Sequence, residues 1–227
     1  MKKKFIEKIT RIITKNKTHW SNRNFIFSSI AGILLFLFSI FVNYFAAGYA
    51  TTRASSSVED IFLSNLPVVN VDFIVNDVAI AFFIFALLLL FIEPKRISFV
   101  FKSTALFVLI RSAFIVLTHL GPYPDHSHIG RHDLLRSFNI GGDLFFSGHT
   151  GLPFLIALIF WDEKWIRYTF LAASIVFGAS VILGHLHYSI DVFAAFFITY
   201  SIFHIAKKIF PADYRLLSTK KIQQTEN

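Results

Sequence analysis

His149, His187, Asp143 and Asp191 stand at the edges of long apolar runs, in two short segments that open and close the stretch from Gly141 to Asp191. The stretch opens Gly141-Gly142-Asp143-Leu144-Phe145-Phe146-Ser147-Gly148-His149-Thr150 and closes His187-Tyr188-Ser189-Ile190-Asp191. Polar groups of this kind are costly in lipid and mark functional positions there. His187 and Asp191 are four residues apart, which on a helix puts them on one face and within reach of each other. A carboxylate that accepts one imidazole N–H fixes the tautomer and leaves the second nitrogen as a nucleophile. His149 follows Ser147-Gly148 at a helix start, where backbone N–H groups point at an incoming anion and Gly148 lets it approach closely. A nucleophilic histidine, a second histidine able to protonate a leaving oxygen and an anion cradle together suit phosphoryl transfer through a phosphohistidine. The charge can be stabilised by backbone donors and cations, so neither a metal nor a cofactor is called for.

The elements that must carry these groups follow from composition. The chain has 227 residues, 55% apolar and 16% charged, with 29 Phe and no Cys. That is too apolar for an ordinary soluble domain and suits one compact multispanning membrane domain. Without cysteine, disulfides and thiolate metal sites are excluded. A net charge of +8 raises the question of nucleic acid. The basic residues flank apolar spans and no soluble nucleic-acid-binding motif is present, so no such partner is expected.

Residues 1–24 are basic, with Phe5, Ile6, Ile9, Ile12 and Ile13 at helical spacing. They read as an amphipathic helix on an anionic membrane face or as a plain topogenic tail. Six spans follow near 25–47, 72–92, 98–119, 147–161, 166–185 and 188–206. The fourth is short and can borrow length from Leu144-Phe145-Phe146. A catalytic domain of residues 25–208 and a basic tail of 209–227 complete the expected organisation. With the N-terminus in the cytoplasm, the inner segments hold 17 Lys and Arg and the outer loops only Arg53, Arg131 and Arg136. This asymmetry puts both termini inside. His149, His187 and Asp191 then meet at one depth on the extracytoplasmic face of a cell (inner) membrane. The expected fold is an all-α six-transmembrane-helix bundle.

The quoted residues resemble a known family. Gly142-Asp143-x-x-x-Ser147-Gly148-His149-Thr150 and His187-Tyr188-Ser189-x-Asp191-Val192 are similar to the two signature motifs of sphingomyelin synthases. Those enzymes belong to the type 2 phosphatidic acid phosphatase (PAP2) superfamily. Arg111 with Thr118 and the Leu120-Gly121-Pro122-Tyr123-Pro124 turn resembles the family's Arg…Thr-Leu-Pro-x-Pro motif with one extra residue. Leu66-Pro67 with Asp72 is a weaker echo of its first motif. The family has Cys where this chain has Gly141, Thr at Ser189 and Tyr at Phe196. The Lys-x6-Arg-Pro motif of the phosphatase branch is missing, as is the Arg six residues before the second histidine, where this chain has Val181. Both absences point to the synthase-like branch and leave the phosphate clamp open.

The resemblance implies that His187 is the nucleophile, Asp191 its orienting partner, and His149 the general acid and then base. Arg111, about two turns below the outer end of the third span in otherwise apolar company, is the first candidate clamp; an ion pair with Asp77 is the structural alternative, and Arg131 and Arg136 are others. Asp143, Ser147, Gly148 and Tyr188 are further substrate-side candidates, though Asp143 suits a helix cap equally well. His126-x-His128-x-x-x-His132 has metal-ligand residue types, but loop histidines at this spacing are usually solvated. His185 lines the site or marks the interface; His19, His119 and His204 read as structural. The expected substrate is a membrane phospholipid and the acceptor a lipid alcohol or water. The outcome is head-group transfer, phospholipase C-type cleavage or, alternatively, lipid phosphate monoester hydrolysis. A non-catalytic lipid-binding or transport protein is the rival from another class. Self-association as a homo-oligomer is left open.

Overall fold

A computed structural model describes residues 10, 14, 16–127 and 144–222. Among them the elements are helical throughout. Helix α1 is Arg23–Thr52, α2 is Ala79–Ile92, α3 is Ile97–Leu117, α4 is Gly148–Ile159, α5 is Lys164–Leu183, α6 is Ser189–Ile209 and α7 is Pro211–Ile222. A π-helical turn, Ile74–Val78, runs into α2, and a 3₁₀ turn, Pro94–Arg96, runs into α3.

Five of these segments are long and apolar enough to cross a membrane: Arg23–Thr52, Ile74–Ile92, Pro94–Leu117, Lys164–Leu183 and Ser189–Ile209. Large apolar side chains such as Phe41, Phe83, Phe91, Ile175 and Phe197 are exposed along them. Helices that satisfy their own backbone and present apolar surface outward are the solution lipid requires. This is the architecture of a multi-pass membrane protein.

The expected fourth span is the exception. Only Gly148–Ile159 is helical, 12 residues, or about 18 Å at 1.5 Å per residue. Leu144-Phe145-Phe146 does not lengthen it. Ser147 caps the helix in an extended conformation, with its Oγ accepting from the Thr150 N–H. Its own N–H donates to the Asp191 carbonyl, and the Phe146 carbonyl accepts from Arg111. Those backbone groups are held by tertiary partners and cannot join the helical ladder. Inside α4, Pro153 removes the donor that would meet the His149 carbonyl.

Small residues decide how the helices pack. α1 lies along α3, and a Cβ on Gly32 would stand 3.2 Å from the Ser98 carbonyl oxygen. Close backbone approach through small residues is the usual means of joining helices in lipid. α4 packs on α5 and α6. There a Cβ on Gly151 would fall 2.6 Å from the Phe107 ring and 2.8 Å from Thr199 Oγ1.

The two ends of the bundle differ in chemistry. One end gathers the start of α4, the end of α5 and the start of α6. The other gathers cations. Arg96 donates to the Ile159 carbonyl at the end of α4 (2.6 Å), and Lys95 to the Leu217 carbonyl of α7 (3.3 Å). Lys102 reaches Asp213 at 2.7 Å, and that carboxylate also accepts from Ser28 (2.6 Å) and Ser98 (2.7 Å). The segment after 209, expected only as a basic tail, thus includes a helix locked to α1 and α3. Burial pushes the Asp213 carboxyl up, but Lys102, Ser28 and Ser98 outweigh it and hold it below the ordinary carboxylate value.

Asp213→Ala leaves the Lys102 ammonium inside the bundle without its anion. The variant is expected to lose about 3–5 kcal/mol of stability, read as a lower unfolding midpoint in detergent and faster proteolysis between α6 and α7. Because the folded carboxyl titrates below its unfolded value, this stabilisation is complete above about pH 4. It is lost only as the pH falls through the lowered value.

Candidate active site

The start of α6 is built around one carboxylate. Tyr188 is the N-cap and Asp191 the third helical residue. The Asp191 N–H donates to the Tyr188 carbonyl (3.0 Å), and Asp191 Oδ2 accepts from the Tyr188 N–H (3.2 Å). A carboxylate is favoured here because the first N–H groups of a helix lack ladder partners and their dipoles point outward. The same Oδ2 lies 3.2 Å from His187 Nδ1. Asp191 is 1% exposed and His187 7%. The capping role and the orienting role therefore fall on one oxygen. With Nδ1–H directed at Asp191, the neutral imidazole carries its lone pair on Nε2, which makes no hydrogen bond among the described residues.

The start of α4 is tied directly to this turn. The Ser147 N–H donates to the Asp191 carbonyl at 3.0 Å. Two residues on, His149 Nε2 stands 3.1 Å from the Val75 carbonyl in the π-helical turn before α2, so that nitrogen carries the proton in the neutral ring. A backbone hydrogen bond thus joins the starts of the two helices that carry the histidine motifs. A π-turn displaces carbonyls from the regular ladder, which is why such turns recur at functional sites.

Arg111 is 8% exposed on α3. Its Nε donates to the Phe146 carbonyl at 3.2 Å, and it lies 3.9 Å from where a Cβ on Gly148 would be. The guanidinium therefore flanks the first N–H of α4. Cation and helix start thus lie side by side, next to the His187–Asp191 turn to which Ser147 is bonded. Asp143, Arg131, Arg136, His128 and His132 lie outside the described residues. His126 is exposed, with Nδ1 2.9 Å from the Tyr123 carbonyl.

Tyr188 holds the loops above the turn. Its hydroxyl donates to the Gly121 carbonyl (2.8 Å) and accepts from the Val58 N–H (3.2 Å). Both capacities are used by backbone, so the group is a strut. Burial pushes its phenol above the usual tyrosine value, with Asp191 and Asp60 acting in the same direction. His185 has φ 53°, the one non-glycine residue at positive φ among those described. Its Nδ1 meets the Asp125 carbonyl at 2.8 Å, and Nε2 is buried without a partner among the described residues. Thr118 Oγ1 contacts the Phe114 and Leu144 carbonyls (3.2 and 3.4 Å), bridging α3 to the segment that precedes α4.

Residues 141–208, which carry both histidine motifs and helices α4 to α6, match the family described as PAP2 superfamily C-terminal. The match supports placement in the PAP2 superfamily. Members are generally phosphatases or phosphotransferases, and a PAP2 protein embedded in the membrane implies lipid substrates. No curated protein and no solved structure matches the chain. Sequence reasoning missed two contributors to this site, the Val75 carbonyl and Asp60, whose carboxylate accepts the Ser189 N–H at 2.8 Å. A main-chain carbonyl leaves no trace in side-chain identity. The only signal for Asp60 was an acidic pair, Glu59-Asp60, in an otherwise weakly charged loop.

Tyr188→Phe removes the donor to the buried Gly121 carbonyl. It is expected to cost about 1–3 kcal/mol, seen as a lower thermal unfolding midpoint without loss of helical circular dichroism at 20 °C or thereabouts.

Proposed function

We propose that the protein is a membrane lipid phosphotransferase or phosphohydrolase that works through a phosphohistidine on His187, in the manner of the sphingomyelin synthase-like branch. The observation that carries this reading is the 3.2 Å pair of His187 Nδ1 and Asp191 Oδ2, which leaves Nε2 open beside the start of α4. The side chains divide the work by their chemistry.

A phospholipid presents its phosphodiester at the corner formed by Arg111 and the Gly148 N–H. These donors take up charge that grows on the phosphoryl oxygens. His187 Nε2 attacks phosphorus. The N–P bond forms and the bond to the lipid alcohol breaks. His149, as the imidazolium in this step, gives that leaving oxygen its Nε2 proton and becomes the neutral ring, the substrate oxygen taking the place of the Val75 carbonyl. Asp191 stabilises the positive charge that develops on the His187 ring. An acceptor hydroxyl then passes its proton to His149 and attacks phosphorus, and the N–P bond breaks. A lipid alcohol as acceptor gives head-group transfer and water gives hydrolysis. The asymmetry of basic residues supports a bundle with both termini cytoplasmic and this corner on the extracytoplasmic side.

His187→Ala is expected to abolish turnover by at least about 10³-fold, and Asp191→Asn to lower kcat by about 10²–10⁴-fold. Both should keep the wild-type elution volume. The assay is mass spectrometry of lipids after purified protein meets phosphatidylcholine or phosphatidylethanolamine, with and without ceramide, and phosphatidic acid. Turnover by folded His187→Ala at the wild-type rate would end the phosphohistidine reading. Arg111→Ala should lower kcat/KM by about 10–100-fold; wild-type kinetics would make Arg111 purely structural.

A further inference from the structure

Asp60 lies in the long connection between α1 and α2, 129 residues from its most informative partner. Its Oδ1 accepts from the Phe62 and Leu63 N–H groups (2.8 and 3.2 Å), which closes a local turn. Its Oδ2 accepts from the Ser189 N–H at 2.8 Å, and Ser189 opens α6. The residue is 8% exposed. The turn it closes drops Leu63 into an apolar cluster with Val71, Val75, Val181, Tyr188 and Val192. One residue of that cluster, Val75, offers its carbonyl to His149. The connection is therefore fastened at three points to the turn that carries His187: Leu63 by burial, Val58 through the Tyr188 hydroxyl, and Asp60 through Ser189.

The free N–H groups at the start of α6 are divided between two carboxylates. Asp191 takes the Tyr188 N–H and Asp60 takes the Ser189 N–H. We propose that Asp60 is a positioning residue for the site, fixing the register of the 187–191 turn from outside the helix. The inference rests on the phosphohistidine reading, since it is the Nε2 of His187 that must be aimed. Among the described residues Asp60 accepts from the backbone N–H groups of Phe62, Leu63 and Ser189, which occupy both of its oxygens, so it holds the turn and does not serve as a substrate ligand. Burial pushes its carboxyl up, but the hydrogen bonds from Ser189, Leu63 and Phe62 prevail and keep it below the ordinary carboxylate value. It is thus an ionised acceptor, and charge-assisted bonds of this kind hold geometry firmly.

Two substitutions isolate the bond. Asp60→Asn keeps the volume but turns one acceptor into a donor facing N–H groups. Ser189→Pro deletes the N–H at the first helical position, where proline is compatible with a helix. Tyr188, at φ −66° and ψ 155°, already has the conformation that precedes a proline. Both variants are expected to lower kcat by about 10–100-fold with KM within about threefold of wild type and a lowered unfolding midpoint, since each breaks a buried hydrogen bond to a carboxylate. The double variant should be no slower than the slower single one, because both cut the same bond. A second readout is the rate at which diethyl pyrocarbonate modifies His187, followed by mass spectrometry; both variants should change it. Wild-type kcat and wild-type modification rates in folded Ser189→Pro would overturn the proposal, and this variant decides the matter if Asp60→Asn does not fold. His187→Ala in the same assays separates the two ideas. If it retains turnover, or wild type has none, the phosphohistidine reading fails and the modification rate still decides on Asp60. If it is dead while the other two variants match wild type, only Asp60's role falls.

Discussion

One oxygen atom, Oδ2 of Asp191, receives two hydrogen atoms: one from the backbone of Tyr188 and one from the ring of His187. The first bond ends a helix properly and the second fixes a tautomer. Because both meet at one buried atom, the orientation of the imidazole is set by where α6 begins. The Asp191 carbonyl adds a third tie, to the Ser147 N–H, so the start of α4 is set from the same residue. In an apolar environment such bonds are not exchanged cheaply for water. The geometry of the site is therefore inherited from the geometry of two helix ends.

The rest of the bundle keeps those ends where they are. Gly151 brings α4 against Phe107 of α3 and Thr199 of α6 with no room for a side chain. Arg111 reaches from α3 to the Phe146 carbonyl and fills the corner beside Gly148. At the far end Lys102, Asp213, Ser28 and Ser98 tie α7 to α1 and α3. Polar groups lie at both ends and apolar packing between them, which is the distribution a lipid-embedded bundle needs. α4 departs from the plan. It is too short to cross by itself, and what shortens it is the withdrawal of Phe146 and Ser147 from the helix to serve the site.

Much of this was legible in the order of residues. Apolar runs located the helices: the expected span at 98–119 is helix Ile97–Leu117, and that at 188–206 is Ser189–Ile209. Length and hydropathy suffice there because a helix in lipid must satisfy its backbone within itself. The four-residue spacing of His187 and Asp191 anticipated their contact, although His187 precedes the helix and the Asp191 carboxylate reaches back past the N-cap to meet it; the family match at 141–208 spans both motifs. Spacing failed where a partner is remote or is main chain. Nothing local marks the Val75 carbonyl, the reach of Asp60 to Ser189, or the pairing of Lys102 with Asp213 across 111 residues.

The order of residues alone specified an apolar helical chain, the segments that form its long helices and the two histidine motifs. It could do so because helix periodicity, side-chain polarity and i to i+4 contacts are properties of neighbours along the chain. Packing settled the rest: α4 stops short, Ser147 is bonded to Asp191, and distant carboxylates, Asp60 and Asp213, secure the two ends of the bundle. Those outcomes depend on which backbone groups are left unmet once the helices have packed, and no residue carries that information before they meet.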